Sequence, residues 1–556
     1  MEKQWLKQYP EGIPATIDPD AYSSINELFE GSFKTFAQRP AFTNMGTTLT
    51  YAEIDKYSKA FASYLTQGLG LKKGDSVAIM MPNILQYPIC FFGILRAGLV
   101  VTNVNPLYTA RELKHQLNDS EAKAIIIVEN FCSVLAEVIQ QTPVKHVLTT
   151  QLGDLLKFPK SLLVNTVVKH VKKMVPAFQL PGALSFKDAL KKGQSMAYNK
   201  ASIASEDIAL LQYTGGTTGV SKGAILTHRN IIANVLQAKA WIKDAIREGE
   251  EIIITPLPLY HIFSLTANCI IFSNIGAENV LITNPRDIPG FVKELSKVKF
   301  TTFTGVNTLF NALVNNDDFK NIDFSAFRLT LGGGMAVQKA VAQKWKAITG
   351  VTLLEAYGLT ETSPAACINP LNIPDYNGTI GLPIPSTEIS IRDDDGKEVP
   401  LGETGEICIR GPQVMKGYWK RPDETAKVML DDGWFKSGDI GCMDEKGFTT
   451  IVDRKKDMIL VSGFNVYPNE IEDVVAEHEK VLEVAAIGAP HEKSGEVVKI
   501  CVVKKDESLT KEELIAHCKK HLTGYKVPKH VEFRDELPKT NVGKVLRRAL
   551  REPVAK

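Results

Sequence analysis

The segment from residue 50 to residue 130 alternates helix-like and strand-like stretches, and this alternation constrains the fold more than any other feature of the sequence. Apolar residues recur at helical spacing over Tyr51–Gln67, and Ser76–Met81 has the composition of a buried strand. A helix-like stretch then leads to a second strand-like run, Leu99–Val101. This order is typical of a parallel sheet covered by helices on both faces. The same rhythm resumes in four later runs, Glu251–Thr255, Val280–Thr283, Phe300–Phe303 and Arg328–Leu331.

Two later changes in the sequence predict the domain organisation. From Ser386 onward the chain consists of short strand-like pieces and turns, which indicates a smaller β-rich lobe. A run of charged residues at 453–457 then precedes a compact mixture of helix-like and strand-like stretches. Because 556 residues exceed what one core usually supports, more than one domain is expected. We therefore predict an α/β fold, with a large N-terminal domain over residues 1–453 and a small α+β C-terminal domain over residues 454–556.

Bulk composition argues against several classes of function. Lysine and arginine number 65 and aspartate and glutamate 63, so the net charge of +2 gives no support for nucleic-acid binding. The eight cysteines are isolated, which indicates reduced thiols rather than a zinc site or a disulfide framework. The N-terminus lacks the apolar region of a secretory signal, and the longest apolar tract, residues 77–101, is interrupted by polar residues and prolines. We expect a cytoplasmic protein.

The segment Tyr213–Ala224, YTGGTTGVSKGA, has the residue types that bind phosphate. Its glycines allow close backbone approach to a ligand, and consecutive amides in such a turn favour an anion. The segment is not a P-loop of the common kind, because Gly223 follows the lysine where that motif needs serine or threonine. A glycine-rich surface loop with incidental hydroxyls is the alternative. The candidate phosphate-binding residues are Tyr213, Thr214, Gly215, Gly216, Thr217, Thr218, Gly219, Ser221 and Lys222.

A second group of candidates follows about 110 residues later. Gly333 and Gly334 come directly after a strand-like run, where they permit close approach of the backbone to a flat ligand. The motif YGLTET then places the Tyr357 ring and the Glu361 carboxylate within five residues. An aromatic ring can stack on a nucleobase, and a carboxylate can hold Mg²⁺ against phosphates. Taken alone, this motif is more typical of a connection between a strand and a turn.

Three charged residues nearer the C-terminus complete the set of candidates. Asp439 ends the motif WFKSGD and can accept hydrogen bonds from ribose hydroxyls, although a single aspartate is more often a turn residue. Arg454 follows fifteen residues later, at the predicted domain boundary. Lys544 lies in NVGKVLRR, where a solvated basic tail is the alternative.

The segment Ser161–Leu180 has the pattern of a basic amphipathic helix. Leu163, Val171 and Met174 are among the apolar residues on one helical stripe, and the lysines at 169, 172 and 173 lie on the other side. Such a helix can lie in a membrane interface. An ordinary surface helix packed on the core is the alternative, and the sequence does not decide between the two.

Together the motifs stand in an order that matches the adenylate-forming superfamily. That order is YTGGTTGVSKGA, LPLYHIFS, YGLTET, WFKSGD, DRKKD followed by SGFNVYPNEIE, and NVGKVLRR. The chain resembles the acyl-CoA synthetases of this superfamily, most closely the bacterial long-chain fatty-acid–CoA ligases, over essentially its whole length. Stretches such as NVNPLYT and ITNPRDIPG resemble those ligases beyond the shared motifs.

The resemblance implies a reaction in two steps that serves fatty-acid degradation and uptake. ATP and a long-chain fatty acid form an acyl-adenylate and pyrophosphate, and the CoA thiol then attacks the adenylate. Residues Thr214–Lys222 would hold the β- and γ-phosphates, and Tyr357 would stack near adenine. Glu361 would ligate Mg²⁺, and Thr360 would contact the α-phosphate.

The remaining implied roles belong to residues around the domain boundary and the acyl pocket. Asp439 would bind the ribose hydroxyls, and Arg454 would reach the ribose and phosphate region. Lys544 would bridge the α-phosphate and the incoming carboxylate. His261, in PLYHIFS, would lie near the acyl pocket, where a structural role is the alternative. The C-terminal domain would be mobile about a hinge near Lys456, with Gly463 lining the pantetheine path.

Other functions remain to be separated from this one. One alternative is an adenylating enzyme with another acid or acceptor, such as an aryl-CoA ligase or a carrier-protein loader. Another is a membrane-associated fatty-acid binding or import factor without turnover, against which Lys222, Glu361, Asp439 and Lys544 argue. Peripheral contact with the inner face of the cytoplasmic membrane, and a homodimer by family resemblance, stay open as further expectations.

Overall fold

A computed structural model describes residues 3–214, 221–462, 464–491, 494–540 and 543–551. Its strands, in chain order, are β1 (Pro40–Asn44), β2 (Thr47–Thr50), β3 (Ser76–Met80), β4 (Val100–Asn103), β5 (Ala124–Val128), β6 (His146–Thr150), β7 (Leu184–Ser185), β8 (Ile208–Thr214), β9 (Lys222–Thr227), β10 (Ile252–Thr255), β11 (Glu278–Leu281), β12 (Thr302–Gly305), β13 (Leu329–Gly333), β14 (Leu353–Gly358), β15 (Ala365–Ile368), β16 (Leu382–Pro383), β17 (Glu388–Arg392), β18 (Gly405–Arg410), β19 (Gly417–Tyr418), β20 (Phe435–Met443), β21 (Thr449–Arg454), β22 (Ile459–Val461), β23 (Phe464–Val466), β24 (Val481–His491), β25 (Gly495–Lys504) and β26 (His530–Arg534).

The α-helices are α1 (Ile25–Thr35), α2 (Tyr51–Ser63), α3 (Gln86–Arg96), α4 (Ala110–Asp119), α5 (Cys132–Val138), α6 (Lys160–Thr166), α7 (Phe186–Gln194), α8 (His228–Ile242), α9 (Ile262–Ser264), α10 (Ile288–Leu295), α11 (Asn307–Val314), α12 (Lys339–Thr349), α13 (Pro422–Val428), α14 (Pro468–Ala476), α15 (Lys511–His521) and α16 (Arg547–Arg551). Local sequence explains several starts. Thr50 and Glu53 form a capping box at α2, and Thr227 and Asn230 form one at α8.

In the described part of the chain the strands form four sheets. One has the order β16-β15-β14-β13-β12-β10-β11-β1-β2, and a second has the order β19-β9-β8-β4-β3-β5-β6-β7. The strands β17, β18, β20 and β21 form a smaller antiparallel sheet, which is the predicted β-rich lobe. The C-terminal region has its own sheet, in which β22, β24 and β26 all pair with β25.

The predicted parallel sheets with helices are confirmed, and their strand bounds differ from the prediction by a few residues. The strand β3 pairs in parallel with β4 and β5, and β12 pairs in parallel with β13. Both large sheets also carry antiparallel strands at their ends. The first has β15 and β16 at one end and β2 at the other, and the second has β9 and β19 at one end. The antiparallel ends matter for function because β8, β9, β14 and β19 carry candidate residues.

The two regions have separate hydrophobic cores. A large core spans both N-terminal sheets and includes the fully buried Phe91 and Trp241. The C-terminal core packs α14 and α15 on the last sheet, through residues such as Ile471, Leu514 and Ile500. A turn after Arg454 connects β21 to β22, and these strands belong to different sheets. All eight cysteines are free, and seven of them are buried.

The basic segment 161–180 differs from the helix that the sequence predicts. The helix α6 begins at Lys160, continues as a wider turn over Val167–Val171, and ends there. Lys173 takes a positive φ of 50°, and Pro176 cannot continue a helix because it lacks an N–H and clashes with the preceding turn. Within the described residues, no helix has the length and hydrophobicity needed to cross a bilayer.

Candidate active site

The predicted phosphate segment connects the two strands of a β-hairpin. Thr214 at the end of β8 pairs with Lys222 at the start of β9. The strands on either side are held in the large core, so the ends of the segment are fixed. Five of its candidate residues lie outside the described residues, and Gly463 does as well. The five are Gly215, Gly216, Thr217, Thr218 and Gly219.

Lys222 is held by two groups that the sequence did not predict. Its Nζ lies 2.7 Å from Glu424 Oε2, and it also lies 4.6 Å from the centre of the Tyr418 ring. Hydrogen bonds from Lys222 and Lys427 lower the pKa of Glu424 to about 2. Glu424 is therefore ionised. It forms an ion pair with Lys222, the residue that the sequence predicts to bind phosphate. We infer that a phosphate anion would have to compete with this carboxylate for Lys222.

Glu361 is a buried carboxylate close to the same lysine. It lies in a short 3₁₀ turn, Thr360–Thr362, directly after β14, and its side chain accepts a hydrogen bond of 2.7 Å from the Tyr418 hydroxyl. Burial raises the pKa of this carboxyl, and the charge of Lys222 opposes the rise. A bound cation would stabilise the charged form of such a carboxylate. Thr360, the first residue of the turn, is half-buried beside it.

The environment of Glu361 fits Mg²⁺. Carboxylate oxygen is a ligand that this cation prefers, and Mg²⁺ is commonly held by one or two carboxylates together with substrate phosphates. Lys222, a predicted phosphate-binding residue, is close enough for its charge to lower the pKa of the Glu361 carboxyl. A phosphate bound at Lys222 would therefore lie near Glu361. Glu361 is thus the residue that would hold Mg²⁺ against a nucleotide.

Tyr357, Asp439 and Arg454 meet although they come from three different strands. The Tyr357 hydroxyl donates a hydrogen bond of 2.7 Å to Asp439 Oδ2, and both side chains are buried. Asp439 pairs with Arg454 across β20 and β21, and Arg454 Nε lies 3.5 Å from Asp439 Oδ1. Burial and the Asp439 charge raise the pKa of Tyr357 well above its usual value, so the phenol stays protonated. The ring, the carboxylate and the guanidinium form one polar wall.

Lys544 reaches this wall from the C-terminal region. A Cβ built on Gly334, whose φ is +78°, would lie 3.4 Å from Lys544 Cε and 3.8 Å from its Nζ. Burial lowers the pKa of Lys544 to about 8, and the charge of Arg454 adds to this effect. Asp439, Lys456 and Glu361 are the other charged groups that act on it. The half-buried ammonium therefore lies among the predicted site residues, which excludes a role as a solvated tail lysine.

Two more predicted residues border the same space. Gly333 ends β13, and a Cβ there would lie 2.9 Å from the carbonyl oxygen of Ala356 and 3.3 Å from the Phe263 ring, so a side chain has little room. His261 is the N-cap of the short helix α9, where its Nδ1 accepts from the Phe263 N–H at 3.4 Å. Burial lowers the pKa of His261 to about 3, helped by the Lys544 charge. The imidazole is neutral at neutral pH.

Tyr213 and Ser221 support the hairpin through α4. The Tyr213 hydroxyl donates a 2.8 Å hydrogen bond to Asp119 Oδ2, and Arg421 Nη2 lies 2.6 Å from Asp119 Oδ1. His115 Nε2 lies 2.9 Å from the carbonyl oxygen of Ser221. The Tyr213 side chain thus points to Asp119, so its contacts in the structure are those of a supporting residue.

Sequence reasoning missed Tyr418 and Glu424. Their partners Glu361 and Lys222 lie 57 and 202 residues away along the chain. Tyr418 is brought to the site by the pairing of β19 with β9, in which it faces Ala224. Both residues fall in the charged and aromatic run GYWKRPDET, which was the available signal.

Comparison with known proteins agrees with this geometry. Residues 29–419 match the family of AMP-binding enzymes, and residues 470–544 match the AMP-binding enzyme C-terminal domain. A long-chain-fatty-acid–CoA ligase of Yersinia pestis is 61% identical over 556 residues, which are 100% of this chain and 99% of that protein. One of Haemophilus influenzae is 56% identical and covers the same shares. Among solved structures, an anthranilate CoA ligase in complex with anthranoyl-AMP has a TM-score of 0.85 at 25% identity, over 96% of this chain and 98% of that one.

Proposed function

The chain belongs to the family of AMP-binding enzymes, and on that premise we propose how its residues join a long-chain fatty acid to CoA. The enzyme is a long-chain fatty-acid–CoA ligase that uses ATP and proceeds through an acyl-adenylate. The overall products are acyl-CoA, AMP and pyrophosphate. The assignment of each step to residues is the proposal.

For the nucleotide, we propose that the polar wall binds the nucleoside part of ATP. The Tyr357 ring stacks near adenine, Asp439 accepts from the ribose hydroxyls, and Arg454 reaches the ribose and the phosphates. The close contact between Tyr357 and Asp439 supports this, because one hydrogen bond of 2.7 Å orients both groups. Lys222 and the segment before it hold the β- and γ-phosphates once Glu424 is displaced.

For adenylation, the problem is the approach of two anions. The fatty-acid carboxylate attacks the α-phosphate, the bond between the α- and β-phosphates breaks, and pyrophosphate leaves with the electron pair. No general base is needed, since a carboxylic acid is ionised at neutral pH. Mg²⁺ on Glu361 supplies positive charge to the phosphates when it is bound. Lys544 places its ammonium between the carboxylate and the α-phosphate, with Thr360 beside the phosphate and the neutral His261 near the acyl group.

For thioester formation, we propose that the C-terminal domain rotates near Lys456 and withdraws Lys544. The chain passes from one domain to the other through the short turn between β21 and β22, which follows Arg454. Burial and the charge of Arg454 lower the pKa of Lys456 to about 8. Gly463, seven residues after Lys456 in the sequence, then lines the path of the pantetheine arm. The CoA thiolate attacks the acyl carbon, and AMP leaves.

The observation that carries the proposal is the position of Lys544, which comes from the C-terminal region and lies against Gly334. The test is pyrophosphate release from ATP and palmitate, with and without CoA, repeated over fatty acids of different length and over aryl acids. Release that requires a long alkyl chain, and one round of release without CoA, support the proposal. Release with aryl acids alone, or no release with any acid, would contradict it.

The charge state of Lys544 gives a pH prediction. Its pKa is lowered to about 8, so raising the pH through this value removes the positive charge that adenylation needs. We expect kcat/KM for ATP in the adenylation step to fall above about pH 8, because this ratio reports the free enzyme. Lys544→Arg keeps its charge at high pH and should remove the decline. A decline that persists in Lys544→Arg would assign the titration to another group.

We also propose that residues 157–174 contact a membrane of anionic lipids. Of the nine exposed large hydrophobic residues in the described part of the chain, five lie here, including Phe158 at 83% and Val171 at 70% exposure. Exposed lysines flank them at positions 157, 160, 169, 172 and 173. Val164 packs on the core, but the stripe of Leu163, Val171 and Met174 does not. An apolar stripe with a basic border is complementary to an anionic bilayer surface.

Replacing Lys169, Lys172 and Lys173 by glutamine should weaken binding to vesicles of phosphatidylglycerol and phosphatidylcholine. Each basic residue near such a surface contributes ~1 kcal/mol, so we expect a loss of more than tenfold in co-sedimentation affinity. The matched control replaces three exposed lysines of α7, Lys187, Lys191 and Lys192, by glutamine. Equal loss in the two triple variants, or no loss in the first, would contradict a specific contact by this segment.

A further inference from the structure

Three polar side chains on one face of the helix α11 each make a hydrogen bond to the C-terminal region. Thr308 Oγ1 donates to the carbonyl oxygen of Gly543 at 2.8 Å. Asn311 Nδ2 donates to the carbonyl oxygen of Leu482 at 2.8 Å. Asn315, the residue that ends the helix, accepts from Lys505 Nζ at 2.9 Å. The three polar residues are spaced three and four positions apart, which places them on one side of the helix.

We propose that this face of α11 is a positioning surface that holds the C-terminal domain in the arrangement required for adenylation. The inference rests on the proposed function, since it assumes that Lys544 serves only the first step. Thr308 and Asn311 touch no substrate in this account. They act through Lys544 by fixing the backbone on which that lysine stands.

The Thr308 bond is the most direct, because its acceptor is the residue immediately before Lys544. Gly543 and Lys544 lie in a tight turn in which Gly543 N–H donates to the Thr540 carbonyl oxygen at 2.9 Å and Lys544 N–H donates to Thr540 Oγ1 at 3.1 Å. Gly543 has a φ of +83°, and a Cβ there would lie 3.0 Å from Thr308 Oγ1. Gly543 therefore presents only its backbone to Thr308, and a small shift of Gly543 would break the bond.

The other two hydrogen bonds differ in their exposure to solvent. The Asn311 bond is partly buried and holds β24, which pairs with β25 along nearly its whole length, so it resists rotation of the C-terminal sheet. The Lys505 bond is exposed. Burial and the charge of Lys505 lower the pKa of Lys344 on α12, so Lys505 also meets a like charge in this arrangement. We therefore assign the positioning role to Thr308 and Asn311.

The test measures the two half-reactions of the full-length enzyme separately. Thr308→Val removes one donor with little change in size. Asn311→Leu removes the donor to Leu482 together with the Oδ1 acceptor of Asn315 Nδ2, again with little change in size. A hydrogen bond of this kind contributes about 0.5–1.5 kcal/mol, so each variant should slow adenylation by about twofold to tenfold. The double variant should slow it by about tenfold or more. Thioester formation from supplied palmitoyl-adenylate and CoA should not slow, because that step does not use the arrangement these bonds hold.

Three controls separate positioning from a general structural role. Thr308→Ser keeps the hydroxyl and should restore adenylation. Thr142→Val removes a hydrogen bond of the same kind, from Thr142 Oγ1 to the Ile139 carbonyl oxygen, within the N-terminal domain, and should leave both half-reactions unchanged. Thermal unfolding of all variants identifies any that fold poorly.

Lys544→Ala, measured in parallel, distinguishes failure of the positioning role from failure of the proposed function. If Lys544→Ala impairs only adenylation while Thr308→Val and Asn311→Leu impair neither step, the positioning role is overturned and the proposed function stands. Equal slowing of both steps by the Thr308 and Asn311 variants also overturns the positioning role. If Lys544→Ala impairs both steps equally, the proposed separation of the steps itself fails.

Discussion

Lys544→Ala is expected to lose adenylation while it retains thioester formation. The ammonium lies against Gly334, where the charges of Glu361, Asp439 and Arg454 act on it. We propose that it neutralises the negative charge between the attacking carboxylate and the α-phosphate. Removing one preorganised electrostatic group of this kind typically costs on the order of 10²–10³ in rate. The measurement is pyrophosphate release in single turnover for the first step, and acyl-CoA formed from supplied palmitoyl-adenylate and CoA for the second.

The charges around Lys544 explain why the loss should be large. Burial and two neighbouring cations, Arg454 and Lys456, disfavour its charged form in the free enzyme, as its pKa of about 8 indicates. The anionic substrates would offset this repulsion. Lys544 therefore interacts more favourably with the enzyme–substrate complex than with the free enzyme. Unimpaired adenylation in Lys544→Ala would make the lysine a structural residue. Equal impairment of both steps would contradict rotation of the C-terminal domain as the explanation.

Much of the fold was predictable because buried parallel strands leave a strong local signal. The prediction Ser76–Met81 corresponds to β3, Ser76–Met80, and Phe300–Phe303 corresponds to β12, Thr302–Gly305. The antiparallel strands at the sheet ends were not predicted, since a two-residue strand such as β19 has no periodicity of its own. The helix predicted over 161–180 was too long, because apolar spacing continues past the point where the helix ends and Pro176 cannot extend it.

The sequence identified candidate residues of the site but not the contacts that these residues make with one another and with other side chains. Tyr357, Asp439 and Arg454 meet, and Lys544 lies among the same charges, while their roles toward ATP stay a prediction. The local sequence does not indicate which protein groups form hydrogen bonds or ion pairs with the candidate side chains. The pairing of Lys222 with Glu424 depends on β19 and α13 folding onto β9, which joins segments about 200 residues apart. Such contacts follow from tertiary packing and leave no mark in the spacing of residues.

Glu361→Gln is expected to keep the fold and lose most adenylation. The amide has the size of the carboxylate and its oxygen can still accept from the Tyr418 hydroxyl, which lies 2.7 Å away in the native protein. A neutral amide is a poor ligand for Mg²⁺, so the phosphates lose part of their compensating charge. We expect a fall on the order of 10² or more in the rate of pyrophosphate release. We also expect a rise in the Mg²⁺ concentration that the variant needs, measured by titration at fixed ATP.

Tyr418→Phe is the matched control for this prediction, because it removes the hydrogen bond and keeps both the Glu361 carboxylate and an aromatic ring beside Lys222. This variant keeps the negative charge of Glu361, so it should slow adenylation less than Glu361→Gln and keep the native dependence on Mg²⁺. If Glu361→Gln released pyrophosphate at the native rate under limiting Mg²⁺, Glu361 would not be the metal ligand. If both variants shifted the Mg²⁺ requirement alike, the hydrogen bond rather than the negative charge would be what the metal site needs.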